Sequence, residues 1–269
     1  MSDFAGVKLL IADVDGTLLT LDKVLTERAQ SAARGLRQKG IRLAVTSGRP
    51  PRGMAMLVAP LALEEPLAGF NGGMFARPDL SILESHALDT GTASQAASRL
   101  KELGLEAWVY SGNDWFVRDA AGSHVAREAS TVQFEPRVVE SYDAVLGKVA
   151  KIVGVSDDYP RVRQADADLQ RALGRCASVS RSQNYYLDIT HPLANKAAVV
   201  DYHAARLGLA AQAICTIGDG PNDVLMFRKS GCSIAMGNAA DEVKAEAKVV
   251  TDSCDDDGFA KAVERYLLS

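Results

Sequence analysis

The chain has 269 residues, 47% of them hydrophobic and 24% charged, a balance that fits one large or two medium folded domains and excludes a disordered protein. A formal net charge of −4 leaves no basic excess of the kind that binds nucleic acid. No apolar run reaches the length of a membrane span, and the start Met1-Ser2-Asp3-Phe4 lacks the basic-then-apolar pattern of a secretory leader. The cysteines, Cys176, Cys215, Cys232 and Cys254, are scattered without a C-x-x-C pair and read as buried, reduced thiols of a cytoplasmic protein.

The first part alternates strand and helix. Val7 to Ala12 is apolar apart from Lys8, and Lys8–Val14 reads as a buried strand running into Asp13-Val14-Asp15-Gly16-Thr17. Thr26 caps a helix to about Lys39, with Gly40 as its stop. Ile41–Val45 is a second strand and Arg52–Leu61 a second helix; Leu67–Phe70 is a short third strand leading into Asn71-Gly72-Gly73. The middle reads differently. Thr90–Leu103 is a helix, and Ala107–Tyr110 and Trp115–Arg118 flank a Gly-Asn-Asp turn as a hairpin. Lys148–Val155 is a strand, Tyr159–Leu173 a helix, and Ala177–Ser180 with Tyr185–Ile189 a second hairpin-like pair. The last part alternates again. Helix Asn195–Leu207 ends at Gly208; strand Ala213–Ile217, helix Asn222–Lys229, strand Ser233–Ala235, helix Asp241–Ala247 and strand Lys248–Val250 follow. Asp255-Asp256-Asp257 opens a closing helix, where acids suit the helix dipole. These patterns predict an α/β core, a parallel sheet with helices on both faces, interrupted by a small α+β module. The expected division is residues 1–87 and 191–269 for the core and 88–190 for the insertion.

Open parallel sheets bind ligands beyond the carboxyl ends of their strands. Three strands here end in polar residues: Asp13 and Asp15; Thr46-Ser47-Gly48-Arg49; and Gly218-Asp219-Gly220-Pro221-Asn222-Asp223. Asn195-Lys196 opens a helix, where a lysine opposes the dipole and an anionic ligand resolves the conflict. In a continued strand Asp13 and Asp15 share a face, and Gly16 lets the backbone turn sharply. Two such carboxylates repel, and a bound Mg²⁺ removes much of that repulsion; Asp219 and Asp223 offer it further oxygens.

Taken together, Asp13-x-Asp15-Gly16-Thr17, Ser47-Gly48-Arg49, Asn195-Lys196 and Gly218-Asp219-Gly220-x-Asn222-Asp223 resemble, in order, the motifs of a haloacid dehalogenase (HAD) superfamily phosphatase. Phe70-Asn71-Gly72-Gly73 and the stretch Thr251 through Gly258 are similar to the Cof-type, or IIB, branch, and the insertion lies where the IIB cap belongs. The resemblance implies a Rossmann-like core with an inserted cap, and a Mg²⁺-dependent phosphatase of small phosphorylated metabolites such as sugar phosphates or pyridoxal phosphate. It implies that Asp13 is the nucleophile and forms an aspartyl-phosphate, and that Asp15 is the general acid and base. Mg²⁺ is then held by Asp13, Asp219 and the Asp15 carbonyl, with Asp223 binding it directly or through a water. Ser47, Gly48, Lys196 and Asn222 are the implied phosphate-binding residues, Asn222 orienting either the phosphate or Lys196. Arg49, Asn71 and Gly72 are implied to face cap and substrate. Ser47 stands where threonine is commoner, and Ala197 follows Lys196 in place of the frequent glycine.

His86, His124, His191 and His203 have no ligand spacing and read as surface or packing residues. His124, Arg127, Ser111, Asn113 and Trp115 lie in the insertion and are candidates for contact with substrate. Two other functions share the motifs' chemistry: a phosphomutase using the same aspartyl-phosphate, and a non-catalytic receiver-like phospho-switch. The expected partner is a small-molecule phosphate ester, with neither nucleic acid nor membrane.

Overall fold

The computed structural model describes residues 4–269; the Met1–Asp3 start, read above as carrying no leader, lies outside the described residues. In chain order the strands of the first half are β1 (Leu9–Asp13), β2 (Arg42–Thr46), β3 (Leu67–Gly69), β4 (Met74–Ala76), β5 (Ile82–Ser85), β6 (Glu106–Ser111) and β7 (Asp114–Val117). Those of the second half are β8 (Arg137–Val138), β9 (Val149–Val155), β10 (Ser178–Gln183), β11 (Tyr186–Thr190), β12 (Ile214–Gly218), β13 (Cys232–Ala235) and β14 (Val249–Val250). The α-helices are α1 (Glu27–Gln38), α2 (Ala55–Leu61), α3 (Thr90–Glu102), α4 (Val125–Val132) and α5 (Tyr159–Leu173), then α6 (Lys196–Leu207), α7 (Val224–Lys229), α8 (Asp241–Lys244) and α9 (Gly258–Ala262).

The large sheet runs β14-β13-β12-β1-β2-β3-β4-β5. From β14 to β3 its neighbours are parallel, as the alternating pattern predicts. Alternate side chains of its central strands feed two cores. Leu10, Ala12, Val45, Cys215 and Ile234 pack with α1 and α9, whereas Leu9, Ile11, Ala44 and Ile214 pack with α6 and α7. A sheet buried on both faces needs strands that are apolar throughout, which is why β1 reads as an unbroken apolar run. The antiparallel edge β4–β5 was absent from the sequence reading. Both strands are short, and β5 is largely exposed, so it carries little apolar signal.

The small sheet runs β10-β11-β9-β6-β7-β8 and is antiparallel except for the β7–β8 pair. One face, with Val109, Ile152, Leu187 and Ile189, is covered by α3 and α5. The other carries Trp108, Tyr110, Val153 and Tyr186 and packs with α4, Phe70 and Met74. The expected α/β core with an inserted α+β module is therefore the observed architecture.

Local corrections have plain causes. The closing helix does not start at the aspartates. Cys254–Asp256 forms a 3-10 turn, Asp257 is left-handed at φ 58°, and α9 follows. Asp255 instead accepts the Leu21 N–H at 2.9 Å, and Asp257 accepts the Thr26 hydroxyl at 2.8 Å. Pro51–Met54 and Pro221–Asp223 are 3-10 turns ahead of α2 and α7, so both helices start later than the pattern suggests. Cys215, Cys232 and Cys254 are buried, but Cys176 is exposed, in the polar turn after α5. Among the described residues no helix is long and apolar enough to cross a membrane.

Candidate active site

β1, β2 and β12 are neighbours, so their carboxyl ends bring the expected motifs together. Asp13 closes β1 opposite Thr46. Gly16, at φ +77°, then turns the chain. A Cβ there would lie 2.5 Å from Asp219 Oδ2, so glycine lets the loop after β12 approach. Lys196 is the first residue of α6, and its neighbour Asn195 caps the helix by accepting the Ala198 N–H at 3.1 Å. The Lys196 Nζ is buried 2.5 Å from Asp13 Oδ1 and 2.5 Å from Asp223 Oδ1. The lysine's conflict with the dipole is thus met by two carboxylates. Asp223 Oδ2 also accepts the N–H groups of Asp219 at 2.9 Å and Gly220 at 2.8 Å, which folds the loop around this buried acid. Asp219 accepts the Thr17 hydroxyl at 3.2 Å and the Asn238 amide at 3.1 Å. Asn238 donates as well to Gly16 O at 2.8 Å, which ties the two loops together.

Carboxylate oxygens of Asp13, Asp219 and Asp223 all lie within 4.8 Å of one another. Three acids share one ammonium. Burial, with Asp223 and Asp219 nearby, pushes Asp13 well up despite Lys196. Burial and Asp223 likewise push Asp219 up to about 6. Burial alone would lower Lys196, but Asp13 and Asp223 outweigh it and raise it. The cluster is short of positive charge, and its hard oxygen donors fit a cation such as Mg²⁺ better than a soft metal.

Asp15 behaves differently from the expectation that it shares a face with Asp13. β1 stops at Asp13, and the turn at Gly16 carries Asp15 into an isolated bridge with Leu19. Its oxygens accept Arg49 Nε at 2.7 Å and Arg49 Nη2 at 2.5 Å, and Lys23 Nζ lies 2.8 Å away. Burial would raise Asp15, but Arg49 and Lys23 outweigh it and hold the carboxyl below its ordinary value. The remaining Arg49 nitrogen donates to Thr131 O in α4 at 2.5 Å and to Gly53 O at 3.3 Å. Arg49 therefore spans both sheets' units.

A cavity of about 310 Å³ opens between these units. Asp13, Asp15, Ser47, Gly48, Arg49, Asn71, Asp219 and Asn222 line it from the large sheet. Asn222 donates to Asn71 Oδ1 at 3.0 Å; no bond from Asn222 to Lys196 is found among the described residues. Gly72 sits under the start of α6 at φ +93°, where a Cβ would meet Asn195 O at 2.9 Å, and it does not line the cavity. Of the candidates in the insertion, Arg127 lines the cavity. His124 pairs with Asp157 at 2.7 Å and stacks on Tyr185; Asn113 donates to Leu80 O at 3.1 Å; Trp115 is wholly buried; Ser111 lies away at the end of β6. Sequence reasoning missed Lys23, Asn238, Glu128, Thr131, Lys151, Tyr186 and Asp188. Asn238 was findable, since it follows the end of β13 as the other site residues follow theirs. Lys151 and Asp188 were findable as charges inside otherwise apolar strand runs.

The model of the haloacid dehalogenase-like hydrolase family matches residues 10–263, and the chain belongs to that family. Among its relatives, the pyridoxal phosphate phosphatase YbhA of Escherichia coli is 26% identical over 272 residues, covering 97% of this chain and 99% of the relative. The 5-amino-6-(5-phospho-D-ribitylamino)uracil phosphatase YcsE of Bacillus subtilis is 23% identical over 262 residues, covering 97% and 96%. The crystal structure of a haloacid dehalogenase-like hydrolase from Bacteroides thetaiotaomicron superposes with a TM-score of 0.89 at 26% identity, covering 96% of this chain and 99% of that one. The chain is a hydrolase of this superfamily, and the expected class, a phosphatase, is that of both relatives.

Proposed function

We propose that the protein is a Mg²⁺-dependent phosphatase of small phosphorylated metabolites that works through an aspartyl-phosphate on Asp13. The reading rests above all on one arrangement: buried Asp13, paired with Lys196, beside Asp219 and Asp223 at the ends of β1 and β12. Asp13 attacks phosphorus in line and the leaving oxygen departs on the opposite side. Lys196, Ser47, Gly48 and Asn222 hold the phosphoryl oxygens, the lysine as a point charge. Asp13, Asp219 and the Asp15 carbonyl would hold Mg²⁺, with Asp223 supporting the loop and Lys196. Bound there, the ion supplies neutralisation of the phosphoryl charge.

Asp15 protonates the leaving oxygen and then takes a proton from the water that hydrolyses the aspartyl-phosphate. To do so it has to leave its pairing with Arg49 and Lys23. An incoming phosphate dianion competes for both cations, and the freed carboxylate takes up from solvent the proton that it then gives to the leaving oxygen. Residues 1–87 and 191–269 form the catalytic core, and residues 88–190 act as a cap that excludes bulk water and macromolecules. The names of two relatives carry pyridoxal phosphate and a phosphoribitylamino-uracil, both phosphorylated small molecules of the class proposed here.

Phosphate release across a panel of metabolite monophosphates, with Mg²⁺ and with chelator, tests the reading. Mg²⁺-dependent turnover is expected, and Asp13→Asn is expected to abolish it while circular dichroism stays native. Near-normal turnover by Asp13→Asn would overturn the nucleophile. A sugar phosphate that isomerises without releasing phosphate would make the enzyme a mutase instead.

A further inference from the structure

The roof of the cavity is the inner face of the small sheet. Strand register fixes which side chains it presents: Asp188 and Trp108 both pair with Val153, and Tyr186 pairs with Val155. Directly paired residues project to the same face. Most of that face is aromatic or aliphatic, yet a charged pair is set into it. Lys151 Nζ lies 2.7 Å from Asp188 Oδ2, and both residues line the cavity that also holds Asp13 and Asp15. Asp188 is 9% exposed, and its second oxygen, Oδ1, is buried with no hydrogen bond among the described residues. Two residues earlier on the same face, Tyr186 is also 9% exposed, and its hydroxyl too has no hydrogen bond among the described residues. By contrast, the neighbouring Tyr110 hydroxyl donates to Glu128 at 2.7 Å.

A buried polar atom without a partner is destabilising, and a bare carboxylate oxygen on a residue that lines the cavity points to a partner brought by the ligand. With Trp108 Nε1, three such atoms among the described residues belong to this cavity wall and mark groups whose partner comes with the ligand. The pair's chemistry narrows what that partner is. Side by side, Asp188 offers an acceptor and Lys151 a donor. An ammonium on the ligand would face Lys151, and a carboxylate would face Asp188. A neutral hydroxyl, which donates and accepts at once, suits both. Tyr186 adds a second group that donates and accepts.

We propose that Asp188, held by Lys151 and joined by Tyr186, determines specificity by hydrogen-bonding hydroxyl groups on the leaving group of the phosphate ester. This rests on the phosphatase reading above. It adds that hydroxyl-bearing leaving groups are selected over alkyl ones of the same length.

The test compares a hexitol 6-phosphate with hexyl phosphate, which share a chain length and differ in hydroxyls. Wild-type enzyme with Mg²⁺ is expected to favour the hexitol ester in kcat/KM by roughly a hundredfold or more. In Asp188→Ala that preference is expected to collapse by at least about tenfold. Because Asp188→Ala leaves Lys151 unpaired, Tyr186→Phe is measured beside it. It removes a hydroxyl with no hydrogen bond among the described residues, keeps the ring, and is expected to shrink the same ratio with native circular dichroism. If Asp188→Ala does not fold, Tyr186→Phe decides. A ratio unchanged in the folded variants, or a wild type that favours hexyl phosphate, would overturn the assignment and leave the phosphatase intact. A wild type inert toward every phosphate ester would overturn the phosphatase reading itself.

Discussion

Protonation and metal binding compete at the single carboxylates of Asp219 and Asp13. Both have folded-state pKa values above the ordinary aspartate value, Asp219 at about 6, chiefly through burial. Between the ordinary value and about 6, the metal-free native protein therefore holds protons that the unfolded chain has released. What these two carboxyls contribute to stability is fully present below that window and falls as pH rises through it. Mg²⁺ takes the place of those protons, so its binding tightens as pH rises through about 6. The melting temperature is expected to rise on adding Mg²⁺ by clearly more near pH 7.5 than near pH 5. An equal rise at both pH values would remove these carboxylates as the metal site. The residue types at this site were legible in the sequence because they follow strand ends. Their pairing was not. Asp15 meets Lys23, which sits in a loop at a left-handed φ of 63°, and no periodicity announces such a contact.

The turn at residues 70–72 both lines the site and positions a second element of it. Phe70, Asn71 and Gly72 are all left-handed, at φ 52°, 56° and 93°. The turn hands Asn71 to the cavity and seats Gly72 against the carbonyl of Asn195, where α6 and Lys196 begin. Gly72→Ala adds a Cβ 2.9 Å from that oxygen at a φ that disfavours side chains. It is expected to cost about 1–3 kcal/mol of stability by denaturant titration, and to lower kcat by shifting Lys196. A variant with wild-type stability and kcat would show that α6 does not depend on the turn. Asn71-Gly72 was visible as a turn, but its target was not, since α6 begins more than a hundred residues later. α4 went unseen because it is one short segment, Val125–Val132, entered through a left-handed His124 without a side-chain cap.

At the scale of the whole molecule, the two units meet through an apolar joint, the Asn113–Leu80 hydrogen bond, the Arg52–Asp114 ion pair and one buried arginine. Phe70 of the core sits edge-on to Tyr110 of the small sheet, with ring centroids 5.4 Å apart. Arg49 crosses the same boundary, gripping both oxygens of Asp15 on one side and the carbonyl of Thr131 on the other. Seating of α4 is therefore coupled to the orientation of Asp15 through a single planar fork. A lysine there keeps the charge but cannot reach the two Asp15 oxygens and Thr131 together. Arg49→Lys is expected to lower kcat/KM by about ten- to a hundredfold, and to speed amide hydrogen exchange in α4 while leaving exchange in the strands of the large sheet unchanged. A joint held by its aromatic packing alone predicts the opposite. Exchange in α4 would then stay at the wild-type rate in Arg49→Lys, and the kinetic loss would reside in Asp15 without any loosening of the boundary.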